Sequence, residues 1–182
     1  REQGRVQSGQ KVLVNGGGGS AGPFAIQLAK SLGAEVTGVD SGNKLDFMRS
    51  VGADRVIDYA REDFTKGRDK YDLVLDMIAH RSVLAYQRAV APNGTYFFTG
   101  GSVGVIFQLL LLGPALRRLT SKNLRMLMVP QNREALIAMT ELCSAGQITP
   151  VIDRIFPLAE TPHAMRYIVD GYARGKVVIS VT

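Results

Sequence analysis

The chain has 182 residues, a formal net charge of +6, 46% hydrophobic and 21% charged residues, which fits an ordinary folded α/β protein and excludes a disordered or fibrous one. One cysteine, Cys143, and two histidines, His80 and His163, leave no disulfide framework and no zinc-type ligand spacing; together with the polar residues 1–10 they point to a reducing compartment, the cytoplasm, without a secretory leader. The basic residues are scattered, with only Arg117 and Arg118 adjacent, which argues against a nucleic-acid partner.

Short β-branched runs alternate with helical patterns along the chain, the sequence form of βαβ units and a parallel sheet covered on both faces. Strands are predicted at residues 11–15, 35–40, 55–59, 71–77, 95–99 and 124–129, each bounded by Gly, Asp, Asn or Pro. Six strands are the full complement of a Rossmann fold, the doubly wound sheet that binds dinucleotides. Between the first two, Pro23 falls in a first helical turn, and Phe24, Ala25, Leu28, Ala29 and Leu32 recur at helical spacing until Gly33. Further helices are predicted at 44–51, closed by Gly52, and at 82–91, stopped by Pro92, Asn93 and Gly94. The apolar run 103–116 contains Gln108, Gly113 and Pro114 and is shorter than the roughly 20 residues of a membrane span, so it reads as a buried helix or an interface and not as a membrane contact. After Pro130 the pattern changes, with a helix at 133–145, a strand at 151–156, a helix at 161–169 and a strand at 177–181. The expected division is therefore a dinucleotide-binding domain over 1–130 and a separate portion over 131–182.

The first predicted strand runs directly into Asn15, Gly16, Gly17, Gly18, Gly19, Ser20, Ala21 and Gly22, and a helix follows. Gly17-x-Gly19-x-x-Gly22 between a strand and a helix has the spacing and context of a pyrophosphate-binding loop. Glycines let the backbone turn tightly and approach the phosphates, and the helix N-terminus, at Ser20, Ala21 and Gly22, supplies free N–H groups and a positive dipole end. Asp40 closes the second strand 18 positions past Gly22, where a carboxylate can accept from ribose hydroxyls. Other readings of the loop are a plain turn, an S-adenosylmethionine site, and the nucleophile elbow of a hydrolase, Gly18-x-Ser20-x-Gly22, with Asp153 and His163 following in the required order. Only one strand precedes Ser20, whereas an elbow follows several. Asp76 to Ala79, Ile78 among them as a cofactor contact, follow the fourth strand, and Gly100 and Gly101 follow the fifth, at the carboxyl edge where open α/β sheets bind ligands; Gly100 and Gly101 are expected on the nicotinamide side. Tyr86, Tyr96 and Ser102 read as packing or capping residues and His80 as a surface histidine, so no catalytic acid is assigned.

The stretch 11–59, KVLVNGGGGSAGPFAIQLAKSLGAEVTGVD and then SVGADRVIDY, resembles the quinone oxidoreductase branch of the medium-chain dehydrogenase/reductase superfamily. The likeness extends through Lys44-Leu45, Gly52-Ala53-Asp54, the strand end Val74-Leu75-Asp76, Pro92-Asn93-Gly94 and the closing Gly175-Lys176-Val177-Val178-Ile179. The resemblance implies an NAD(P)H-dependent oxidoreductase acting on a carbonyl, quinone or activated alkene. It also implies a split catalytic domain whose GroES-like first part, bearing the metal ligands of zinc-dependent relatives, is not in this chain and whose last part is 131–182. A non-catalytic nucleotide-binding module is the alternative. Asp40 favours NAD(H) on electrostatic grounds, while Ser41, Lys44 and Tyr59 match positions that contact the 2′-phosphate in the NADPH-dependent members. NADP(H) is the expected cofactor, with a cation pairing Asp40, and no zinc is expected in this chain. The apolar strand 124–129, at the expected edge of the sheet, is predicted to pair in a homodimer.

Overall fold

The computed structural model describes residues 6–127 and 132–181. Its centre is a six-stranded sheet of β1 (Lys11–Asn15), β2 (Glu35–Asp40), β3 (Arg55–Asp58), β4 (Tyr71–Asp76), β5 (Val90–Phe98) and β6 (Asn123–Met126). Every pairing is parallel and the order is β3-β2-β1-β4-β5-β6, so the strand order reverses between β1 and β4. This is the Rossmann arrangement, and the reversal opens a crevice at the carboxyl ends of those two strands.

Alternation along the strands divides the core into two layers. Val12 and Val14 point to one face, where they meet Ile26 of α1 (Gly22–Ser31), Met48 of α2 (Leu45–Ser50), Val36 and Phe97. Leu13 points to the other, into a cluster with Val39, Val74, Tyr86 of α3 (Val83–Ala89), Tyr96, and Val105 and Leu109 of α4 (Val103–Thr120). The middle of strand β1, Val12 to Val14, is continuously apolar because it is covered on both sides, as parallel sheets require.

Three differences from the predicted elements have local causes. Strand β5 starts at Val90, not Thr95: its register against β4 jumps from Tyr71↔Val90 to Leu73↔Thr95, so Pro92, Asn93 and Gly94 form a bulge inside the strand. Helix α3 correspondingly ends at Ala89. The third concerns α4, which extends to Thr120 and is not a buried helix. Only a stripe of Val105, Leu109 and Gly113 is buried, and Phe107, Leu110, Leu111 and Leu119 are each more than 60% exposed. By length and composition α4 could cross a membrane, but its stripe is packed onto the sheet beside β6. Strand β6 is observed over Asn123–Met126, whereas positions 128 and 129 of the predicted edge strand and the predicted boundary at Pro130 lie outside the described residues.

Beyond that boundary, α5 (Arg133–Ser144) is followed by β7 (Ile152–Pro157), α6 (Thr161–Val169) and β8 (Lys176–Ser180). β7 and β8 pair in parallel with each other and not with the large sheet. The Gln27 side chain of α1 holds this segment, donating to the Thr149 carbonyl (3.0 Å) and accepting from the Thr149 amide (2.8 Å).

Phe97 is 1% exposed between the helix layer and the Arg125 guanidinium, 5.0 Å from its ring. Phe97→Ala is expected to lower unfolding free energy by about 3–5 kcal/mol, read as a shift of the denaturant midpoint at unchanged slope.

Candidate cofactor site

Strand β1 ends at Asn15 and the glycine loop turns back beneath it. Gly16 and Gly17 donate to the Val39 carbonyl (2.9 and 3.1 Å), which ties the loop to the end of β2. Gly22 then opens α1 in such close approach that a Cβ there would run into the carbonyl oxygens of Gly16 and Gly17. At Gly18 an added Cβ would lie 2.8 Å from the Lys44 side chain, so a larger residue would push the loop off its support. No side chain caps the start of α1, in contrast to α3, α4 and α5, whose first amides are capped by Ser82, Ser102 and Asn132. The Gly22 and Phe24 amides, on either side of Pro23, which has none, are therefore left for an external acceptor, which the positive end of the helix dipole favours being anionic.

The crevice above the loop measures about 780 Å³. Gly19, Ser20, Ala21, Asp40, Ser41, Lys44, Tyr59 and Ile78, eight of the residues singled out in the sequence, line it. Gly17, Gly22, Gly100 and Gly101 do not line it. The first two act on the backbone path, as above. The last two are joined to the turn after β4, where the Ala79 amide donates to the Gly100 carbonyl (2.9 Å) and Ala79 bridges Gly101. Met77, within the stretch 76–79 placed at the carboxyl edge from the sequence, also lines it; residues the sequence reading missed are Gly42 and Asn43, and the end of α6 with the turn after it, Ile168 to Tyr172. Asn43 carried a signal, since it follows the acidic strand end by three positions; the 168–172 segment carried none, because nothing local tells where it packs.

Asp40 is 7% exposed and its carboxylate is turned onto the loop. Oδ2 accepts from the Gly18 amide (2.9 Å), Oδ1 accepts from the Ser41 amide (2.8 Å), and the Lys44 ammonium, itself buried, lies 3.8 Å away. With about four lone-pair positions on a carboxylate, about half of its accepting capacity is already taken by these two amides. The Ser41 hydroxyl donates to Asn43 Oδ1 (2.6 Å) at the crevice rim. Tyr59 is half exposed beside them.

A second carboxylate, Asp76, ends β4 as the register partner of Asn15 and is fully buried. It accepts from Asn15 Nδ2 (2.7 Å), the Tyr96 hydroxyl (2.8 Å) and the Ile78 amide (3.3 Å). Burial pushes its pKa up and these hydrogen bonds pull against that shift. The same carboxylate and burial push the Tyr86 hydroxyl up to about 12, so neither Tyr86 nor Tyr96 yields a proton near neutrality; their rings stack 4.8 Å apart in the core.

The hydrolase constellation is not assembled. Asp153 accepts from the Tyr167 hydroxyl (2.9 Å) and the Arg174 amide (3.0 Å), and His163 lies against Phe156 and Glu160, away from Ser20. Among the described residues no three His, Cys, Asp or Glu side chains stand together as a metal site, so these residues do not form a zinc centre.

A parallel sheet in this order with a glycine loop at its point of reversal defines a dinucleotide-binding domain. Residues 51–179, more than half of the chain, match the family model for the zinc-binding dehydrogenases, and the chain belongs to that family. It is similar to the mitochondrial NAD(P)H oxidoreductase RTN4IP1 of Danio rerio (31% identity, 94% of this chain, 49% of the relative) and to 2-methylene-furan-3-one reductase of Solanum lycopersicum (33%, 98% and 42%). Among solved structures it superposes on the quinone oxidoreductase from Coxiella burnetii with a TM-score of 0.86 at 26% identity, covering 100% of this chain and 56% of that one. The chain spans about half the length of the curated relatives it matches.

Gly22→Ala is expected to destabilise the domain by about 1–3 kcal/mol, because the new methyl group meets backbone that cannot move aside. Gly104→Ala on α4, whose added Cβ would stand at an ordinary contact distance of 3.6 Å from Ser102 Oγ, is expected to be neutral or stabilising by up to about 1 kcal/mol. Paired melting curves of the two variants check this.

Proposed function

We propose that this chain is the cofactor-binding part of an NAD(P)H-dependent oxidoreductase that transfers hydride to or from a carbonyl, quinone or activated alkene. The observation that carries the reading is the uncapped N-terminus of α1 behind the glycine loop, facing a crevice of about 780 Å³ at the strand reversal. That volume lies within the usual range for small-molecule and cofactor sites. The Ser20 and Ala21 segment would hold the pyrophosphate. The names of the relatives, which include NAD(P)H oxidoreductases, an NADPH-dependent alkenal/one oxidoreductase and a furanone reductase, support the same class.

NADP(H) is the preferred cofactor in this reading. An acidic residue after the second strand selects NAD by accepting from the free 2′-hydroxyl and repelling a 2′-phosphate. Here Asp40 is drawn onto Gly18 and Ser41 and partnered by Lys44, so its repulsion is offset, while Ser41, Asn43, Lys44 and Tyr59 border the place a 2′-phosphate would occupy. NADPH is expected to bind at least about tenfold more tightly than NADH, and Lys44→Met is expected to remove most of that preference. Fluorescence titration of the purified chain with each reduced dinucleotide measures both; absence of binding to either would sink the cofactor reading.

The place of β6 at the end of the sheet order supports a homodimer formed through that strand, since an unpaired edge invites pairing. The exposed side of α4 adjoins it. Light scattering is expected to give twice the chain mass, and a clean monomer would remove this part of the proposal. The compartment proposed on the single cysteine is a reducing one, the cytoplasm.

A further inference from the structure

Asp76 is a buried carboxylate that the binding of phosphates and ribose does not use. It is 0% exposed, and no lysine, arginine or histidine among the described residues forms an ion pair with it. Its neighbours are donors without charge: the Asn15 amide, the Tyr96 hydroxyl and the Ile78 backbone N–H. The Tyr86 hydroxyl also faces it, while accepting from the His80 and Arg81 amides (3.0 and 3.1 Å). Tyr86 and Tyr96 are the only titratable side chains among these neighbours, and both stay protonated in the neutral range. Burial raises the Asp76 pKa, and every one of these groups can donate to its ionised form, which opposes that shift and favours the anion.

The position of this anion is what gives it a consequence. A dinucleotide straddles the point of strand reversal, with one nucleotide on the β1–β2 side and the other on the β4–β5 side. Asp40, Ser41, Lys44 and Tyr59 mark the β2 side as the adenosine end. The nicotinamide half then falls over the turn after β4, where Met77 and Ile78 line the crevice and Asp76 is the residue immediately before them. An unpaired negative charge in a region of low polarity acts over several ångströms with little screening.

We propose that the Asp76 carboxylate determines specificity for the oxidation state of the nicotinamide, favouring the cationic oxidised ring over the neutral reduced one. This rests on the dinucleotide reading given above and adds to it a role for one residue. Asn15 and Tyr96 are positioning residues, holding the carboxylate at the end of β4 by hydrogen bonds from β1 and β5. By linkage, a site that binds the oxidised form more tightly makes the bound reduced form the stronger hydride donor.

The test is a set of dissociation constants measured calorimetrically on the whole chain for NADP⁺, NADPH and 2′-phospho-ADP-ribose, which lacks the ring. The wild-type chain is expected to bind NADP⁺ at least as tightly as NADPH. Asp76→Asn keeps the shape and can still pair with Asn15 and Tyr96 while removing the charge. It is expected to weaken NADP⁺ about tenfold while leaving NADPH and 2′-phospho-ADP-ribose within about twofold. Asp76→Glu, which retains the charge, is expected to keep the wild-type order. Equal losses for NADP⁺ and NADPH in Asp76→Asn, or no change in either, would overturn the proposal while leaving the cofactor reading intact. If Asp76→Asn does not fold, the wild-type chain alone decides: a tenfold preference for NADPH over NADP⁺ overturns the proposal. A wild-type chain that binds none of the three overturns the cofactor reading and this inference with it.

Discussion

Helix α1 begins so close to the loop before it that the Gly22 Cα lies against the carbonyl oxygens of Gly16 and Gly17, and the carboxyl edge of the sheet is organised around that approach. Because Gly22 carries no side chain, the loop can fold back under the helix. Gly16 and Gly17 then reach the end of β2, and the Gly18 amide reaches Asp40. Any side chain at these positions would separate the helix from the strand it follows. The first amides of α1 would then no longer face the crevice, and the site would lose its anion-binding end.

Two buried carboxylates stand on this edge in different surroundings. Asp40 has a cation and two backbone amides as partners, so its charge is largely contained within the protein. Asp76 has a carboxamide, hydroxyls and one amide, which hydrogen-bond an anion without cancelling its charge. The difference follows from the topology. β2 is followed by a turn that carries Lys44, whereas the end of β4 meets Asn15 of β1, Tyr96 of β5, the Tyr86 hydroxyl and the Ile78 amide, none of them a cation. The β2 end of the crevice therefore holds a carboxylate with a cationic partner, while the carboxylate just before Met77 and Ile78 has only uncharged donors.

Much of the fold could be read from residue order because its signals are local. Short apolar strands ended by Gly, Asp or Asn, and the glycine spacing before α1, placed β1 and β2 to the residue and the other strands nearby. The bulge in β5 escaped, since Pro92, Asn93 and Gly94 look the same whether they end an element or kink a strand; only the pairing with β4 distinguishes them. The apolar run in α4 suggested burial. In the folded chain a single stripe touches the sheet, because a helix laid on one flank of a sheet can bury only the side that faces it.

The candidate site divides in the same way. The residue types at the strand ends, the glycine loop, Asp40, Ser41, Lys44 and Tyr59, were identifiable from spacing and resemblance, since each sits a fixed short distance from a strand. Where their side chains point was not, because Asp40 could face a ribose or its own loop, and Lys44 in its packed position decides for the loop. Nor could residue order bring Asn15, Asp76 and Tyr96 together, or seat residues 168–172 on the crevice. Asn15 and Asp76 are 61 positions apart and Tyr96 a further 20, and such partners meet only when the crossovers set β1, β4 and β5 side by side. Periodicity and spacing act along the chain and specify the elements and the loop; the charges in the site are set by contacts across it, which exist only once the sheet has closed around them.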